Sequence, residues 1–104
     1  MPTATDIVQG WVDATNNSDP QALRALFAPD AVLVDTGRRF HGVDAIMRWS
    51  DSDLIGVNAR IQVDRIDPKS DGATLHSTVH SNGFNGHAKI GFKISDGLIQ
   101  NVHI

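Results

Sequence analysis

The apolar residues of this chain change their spacing once, near residue 57. Before that point they recur every three or four positions, as on one face of a helix. After it they alternate, as on one face of a strand. Ile7, Val8, Trp11 and Val12 form the first stripe, Leu23, Leu26 and Phe27 the second, and Val43, Ile46 and Met47 the third. Beyond residue 57, Ile61 and Val63 alternate with Gln62 and Asp64, and Ala88, Ile90, Phe92 and Ile94 alternate with polar partners. Helices first and hairpin-linked strands afterwards predict an α+β fold, with helices packed on one face of a mainly antiparallel sheet.

Local signals set the expected boundaries. Residues 3–17 read as a helix capped by Thr3 or Thr5, with Gly10 leaving room for another element to come close. Asp19-Pro20 starts a second helix that carries Leu23, Leu26 and Phe27 and stops at Ala28-Pro29-Asp30. Residues 31–36 form a strand, Gly37 turns the chain, and residues 38–41 return. A third helix covers residues 43–50, and Asp51, Ser52 and Asp53 make a polar break. Residues 67–72 form a turn, 73–81 a strand, 82–86 a Gly/Asn turn, 87–95 a strand, and Asp96-Gly97 a tight hairpin before a last strand. The 104 residues make one domain, 1–104, without a linker or repeat.

Composition narrows the partners. The formal charge is −3 and Arg38-Arg39 is the one basic doublet, so no clustered basic face offers itself to nucleic acid. The doublet reads as a solvated hairpin tip. Cysteine is absent, which rules out disulfides and thiolate chemistry. No signal peptide or membrane-spanning apolar run is visible, so the expectation is a cytoplasmic protein without a membrane partner.

One residue stands out chemically. Asp35 follows Ala31 and Leu33 on a single strand face, which places an acid at the edge of an apolar surface. It reads either as a general base on a carbon acid or as a strand-end acid that caps the following turn. His76 and His80 cannot share a metal: on a strand they lie about 13 Å apart at about 3.3 Å per residue. Leu75 and Val79 claim the interior for the opposite face. No metal or cofactor site is expected, and no phosphate loop or paired-carboxylate motif appears.

Three stretches together resemble the SnoaL-like domains of the nuclear transport factor 2-like superfamily: IVQGWVDATNNSDPQALRALFAPDA, VLVDTGRRFHGVDAIMRW and IGFKISDGLIQNVHI. The resemblance implies a cone-shaped half-barrel, with N-terminal helices and a curved sheet enclosing a pocket and the outer sheet face forming a homodimer. It implies ketosteroid isomerase-like or polyketide cyclase-like chemistry in some members and binding without catalysis in others. Asp35 falls at the general-base position of the isomerase-like proteins, Trp11 at the phenol position and Ile90 at the second oxyanion donor. The chain has no Tyr.

Two readings therefore stand. The first is a pocket for a hydrophobic small molecule, walled by Trp11, Met47, Trp49, Leu54 and Phe92, with Asp35 as polar anchor and, in an enzyme, as base for proton transfer beside a carbonyl. The second is a non-catalytic dimeric ligand-binding or interaction module whose pocket is filled by its own side chains or vestigial. A cavity of a few hundred Å³ opening onto Asp35 separates them.

Overall fold

The computed structural model describes residues 2–104. Three helices, α1 (Ala4–Asn16), α2 (Pro20–Arg24) and α3 (Val43–Asp53), pack on one sheet. Its six strands are β1 (Phe27–Asp35), β2 (Arg38–His41), β3 (Arg60–Lys69), β4 (Gly72–His80), β5 (Gly86–Ser95) and β6 (Leu98–His103). The order across the sheet is β2-β1-β6-β5-β4-β3. Every neighbouring pair is antiparallel except β1 with β6, so the expected mainly antiparallel α+β architecture is the one observed.

The first two helices start on the expected chemistry. The Thr3 hydroxyl accepts from the Asp6 amide at 3.1 Å while the Asp6 carboxylate accepts from the Thr3 amide at 3.0 Å, a reciprocal cap. Asp19 accepts from the Ala22 amide at 3.1 Å, with Pro20 opening α2. A Cβ at Gly10 would lie 3.3 Å from Leu26 Cδ2, so the missing side chain does admit a neighbour.

Three boundaries differ from the sequence reading. α2 ends at Arg24, and Phe27 opens β1 instead of closing the helix. The cause is tertiary: the Leu26 carbonyl accepts from the Ile99 amide at 2.8 Å, so β6 draws the chain into the sheet early. α3 continues through Asp51 and Ser52 to Asp53. β3 runs through Asp67 and Pro68 to Lys69, where a turn was expected. Pro68 is tolerated because β3 is an edge strand and needs no second partner.

The sheet is an open half-barrel whose bends have local causes. Register shifts fall between Phe27 and Val32, between Val63 and Arg65, and between Lys93 and Ile94, and such bulges bend strands and increase their twist. α1 covers the β3–β4 side of the inner face and α3 covers β1 and β2. The core between them includes Val8, Trp11, Leu33, Ile46, Leu75 and Ile99. Asn16 ties α1 to the sheet edge: its side-chain amide donates to the Ile61 carbonyl at 2.9 Å and accepts from the Ile61 amide at 2.6 Å. Among the described residues, no helix is long and apolar enough to cross a membrane.

Candidate functional site

β1 delivers Asp35 to the inner face by simple alternation. Ala31 and Leu33 are buried, and Asp35 is the next residue on that side, its side chain 18% exposed. Thr36 and Gly37 then reverse the chain with φ of 49° and 84°, a turn that fits the twist of a two-residue hairpin. A β-branched residue in the left-handed region is strained. Here the strain accompanies a contact, because the Thr36 hydroxyl donates to Asp35 Oδ1 at 3.1 Å.

The hairpin register sets Arg38 directly across from Asp35. Its guanidinium donates to Asp35 Oδ2 at 2.7 Å and also to Asp53 in the last turn of α3. Arg38 is thus a clamp between β1 and α3, while both residues of the doublet stay exposed beside the hairpin turn, as expected. Donation to Asp53 first and to Asp35 second raises the Arg38 pKa, and the same bond, with Ser52, holds Asp53 below the usual carboxylate range. The Trp49 indole donates to Asp35 Oδ2 at 3.0 Å. Asp35 is therefore a carboxylate gripped by three donors; the Thr36 contact is that of a strand-end acid at its turn, and the Arg38 and Trp49 contacts were not read from the sequence. Oδ2 takes two of them and Oδ1 only one.

A cavity of about 500 Å³ opens onto this cluster. Trp11, Trp49, Leu54, Ile61, Val79 and Ile90 supply apolar wall; Asp35, Thr36, Arg38 and Asp53 supply polar groups on one side and His87 and Lys89 of β5 on the other. Of the residues predicted as wall, Trp11, Trp49 and Leu54 border the cavity. Met47 and Phe92 do not. Met47 packs half-buried against the core, and Phe92 is buried behind Trp11, edge-on at 5.4 Å between ring centres. Both were placed by face alone, and an inward face is shared by core and cavity. Phe84 borders the cavity from the turn between β4 and β5 and was missed, although a lone aromatic in a Gly/Asn turn is a visible signal.

The Trp11 ring is 1% exposed, and its Nε1 is buried without a hydrogen-bond partner. A buried unpaired donor is costly, by about 1–3 kcal/mol. Ile90, at the position of the second donor, presents no polar group. His76 lies on the other face, 3.1 Å from Asp67, and His80 is exposed. Among the described residues no group of three metal-ligating side chains comes together. A second hollow of about 400 Å³ lies on the outer sheet face, bordered by Thr74, Lys93, Asn101 and His103, away from the Asp35 cluster.

Comparison with known proteins follows the geometry. No curated protein matches the chain. A proposed polyketide cyclase from Sinorhizobium meliloti is 30% identical, with a TM-score of 0.87 and 98% of each chain covered. The Δ5-3-ketosteroid isomerase of a Mycobacterium species has a TM-score of 0.82 at 19% identity, covering 96% of this chain and 89% of that one. A Mycobacterium tuberculosis protein solved with estradiol-17β-hemisuccinate has a TM-score of 0.83 at 20% identity, covering 96% and 90%. The last two likenesses concern the fold alone. The family model of the SnoaL-like domain matches residues 8–102, which is nearly the whole chain, and the protein belongs to that family.

Proposed function

We propose that the protein binds an apolar carbonyl compound in the cavity and moves a proton on the carbon beside the carbonyl, with Asp35 as base. The observation that carries this reading is a cavity of about 500 Å³, walled largely by apolar side chains, that the Asp35 carboxylate borders, with the buried, unpartnered Trp11 N–H on a residue of the same wall. The volume lies within the range of small-molecule sites. Trp11 would donate to the carbonyl oxygen, satisfying its buried N–H. Asp35 Oδ1, which takes a single neutral donor, would accept the proton from the adjacent carbon. The electron pair of the broken C–H bond moves onto the carbonyl oxygen, and the Trp11 hydrogen bond strengthens as charge develops there. Returning the proton to the same or another carbon completes an exchange or an isomerisation. Neighbours that act on or bind steroids support a ligand of this general kind.

The test uses 2-tetralone, an apolar ketone with acidic hydrogens beside its carbonyl. Incubation in deuterated water should speed deuterium uptake at those carbons, read by NMR, and Asp35→Asn should abolish the gain. Quenching of tryptophan fluorescence reports binding separately. Binding without deuterium uptake would leave the second reading, a non-catalytic binder, which the apolar Ile90 wall favours. In either case a homodimer through the outer sheet face is expected. Sedimentation as a monomer at high concentration would remove that expectation.

A further inference from the structure

We infer that Asp53 is a positioning residue for the Asp35 base: by holding one N–H of Arg38 it keeps the guanidinium on Oδ2 and leaves Oδ1 open to a proton. The inference rests on Asp35 being the base of the proposed proton transfer. The observation behind it is an incomplete ion pair. A guanidinium set against one carboxylate commonly engages both oxygens through two nitrogens. Arg38 lies directly across from Asp35 in the hairpin register, yet a single nitrogen, Nη2, reaches a single oxygen, Oδ2, at 2.7 Å. The same Nη2 donates to Asp53 Oδ2. Its two hydrogens are thus committed to two different carboxylates.

The secondary structure builds this arrangement. Trp49 and Asp53 stand four residues apart on α3, so they share one face, and that face meets the end of the β1–β2 hairpin. Trp49 places its N–H on Asp35 Oδ2, and Asp53, one turn further along, draws Arg38 toward the helix. The strand side holds Arg38 as well. Its guanidinium carbon lies 5.6 Å from the centre of the Phe40 ring, two residues along β2 on the same face. The Asp53 carboxyl is kept below its ordinary range, chiefly by Arg38 and then by Ser52, so it stays an anionic acceptor at neutral pH.

Sharing the cation also protects the basicity of Asp35. Two carboxylates and one guanidinium leave a single net negative charge on the cluster. Without the Asp53 anion the guanidinium faces Asp35 alone, free to swing into a two-oxygen grip. A carboxylate gripped in that way is a weaker base, and its second oxygen is covered. Among the described residues Arg38 is the one charged group in contact with Asp35, with Asp53 behind it. The other charged residues bordering the cavity, His87 and Lys89, belong to β5 on the opposite side.

Deuterium uptake by 2-tetralone, followed across a pH series, tests this. In Asp53→Asn the plateau rate should fall about tenfold while 2-tetralone affinity stays within about twofold. The rise of uptake with pH should begin lower, because the base is held more firmly as an anion. Asp53→Glu, which keeps the charge, should stay within about threefold of the wild type. Arg38→Gln removes the cation, so the rise should begin higher, and adding Asp53→Asn to it should change the plateau by less than about twofold. The pH at which the Trp49 indole N–H signal moves in NMR should show the same opposite shifts without any turnover. An unchanged plateau in Asp53→Asn, shifts of the same sign in Asp53→Asn and Arg38→Gln, or an undiminished Asp53 effect without Arg38 would overturn the assignment. If the indole signal behaves as expected and the wild type exchanges nothing, the sharing of Arg38 stands and the proton-transfer reading falls. If uptake is rapid and neither variant moves the indole signal, the proton-transfer reading stands and Asp53 is misassigned.

Discussion

The indole Nε1 of Trp49 donates to Oδ2 of Asp35 at 3.0 Å, joining the middle of α3 to the last residue of β1. With Arg38 on the same oxygen, this bond fixes the carboxylate and leaves Oδ1 toward the less crowded side. Trp49→Phe keeps most of the packing and removes the N–H. It should cost about 1 kcal/mol in denaturant unfolding, since the acceptor is charged but not fully buried. It should also slow deuterium uptake by 2-tetralone more than it weakens binding, because the base loses its orientation.

Asp35→Asn preserves shape and removes the base. Deuterium uptake should fall about 10²-fold or more, the usual contribution of a positioned acid or base. Tryptophan quenching by 2-tetralone should persist. Loss of both together would point to a collapsed pocket and not to a lost proton acceptor.

Trp11→Phe removes the buried unpaired donor. Comparing 2-tetralone with tetralin, which lacks the carbonyl, isolates the effect through Trp49 fluorescence. The wild type should prefer the ketone by about fivefold, equivalent to one hydrogen bond of about 1 kcal/mol, and the variant should show no preference.

Acid should loosen the clamp around Arg38. Asp53 sits below its ordinary value of 3.8, chiefly through the Arg38 hydrogen bond and then through Ser52. Asp44 is lowered likewise by Arg24, Asp64 by Thr78 and Gln62, and Asp67 by Arg65. A carboxyl that ionises more readily when folded adds stability above its unfolded value and loses it as pH falls through its folded value. Tm should therefore drop as pH is lowered from about 5 through the carboxylate range, and Asp53→Asn should drop less over the same interval.

Asn16→Ala leaves the Ile61 amide and carbonyl without their side-chain partners at the sheet edge. The expected loss is about 1–3 kcal/mol, read by thermal unfolding, with 2-tetralone affinity changed only through Ile61, which borders the cavity.

Much of the fold was legible because its signals are local. The Thr3 cap, the Asp19-Pro20 start, the Asp96-Gly97 hairpin and the alternation that buries Leu75 but exposes His80 each depend on a few neighbours. The position of Asp35 on an inward face was legible for the same reason. Its partners were not. Trp49 meets it across a helix–sheet contact, and Arg38 meets it through hairpin register while reaching Asp53 on a third element. Phe27 looked helical until β6 claimed the backbone beside it. Met47 and Phe92 show the remaining gap: burial pattern separates inside from outside, but only packed coordinates separate a filled interior from a hollow one.

The sheet closes around β6, which lies between β1 and β5 and pairs in parallel with a strand encoded some seventy residues earlier by the register of Val32 with Asn101. Without β6 the sheet falls into two half-sheets, β2-β1 and β5-β4-β3, each with a raw edge, and the turn after Asp35 lacks the Ile104 backbone that anchors it. Assembly of the pocket therefore waits on one long-range pairing that seals both edges in a single step.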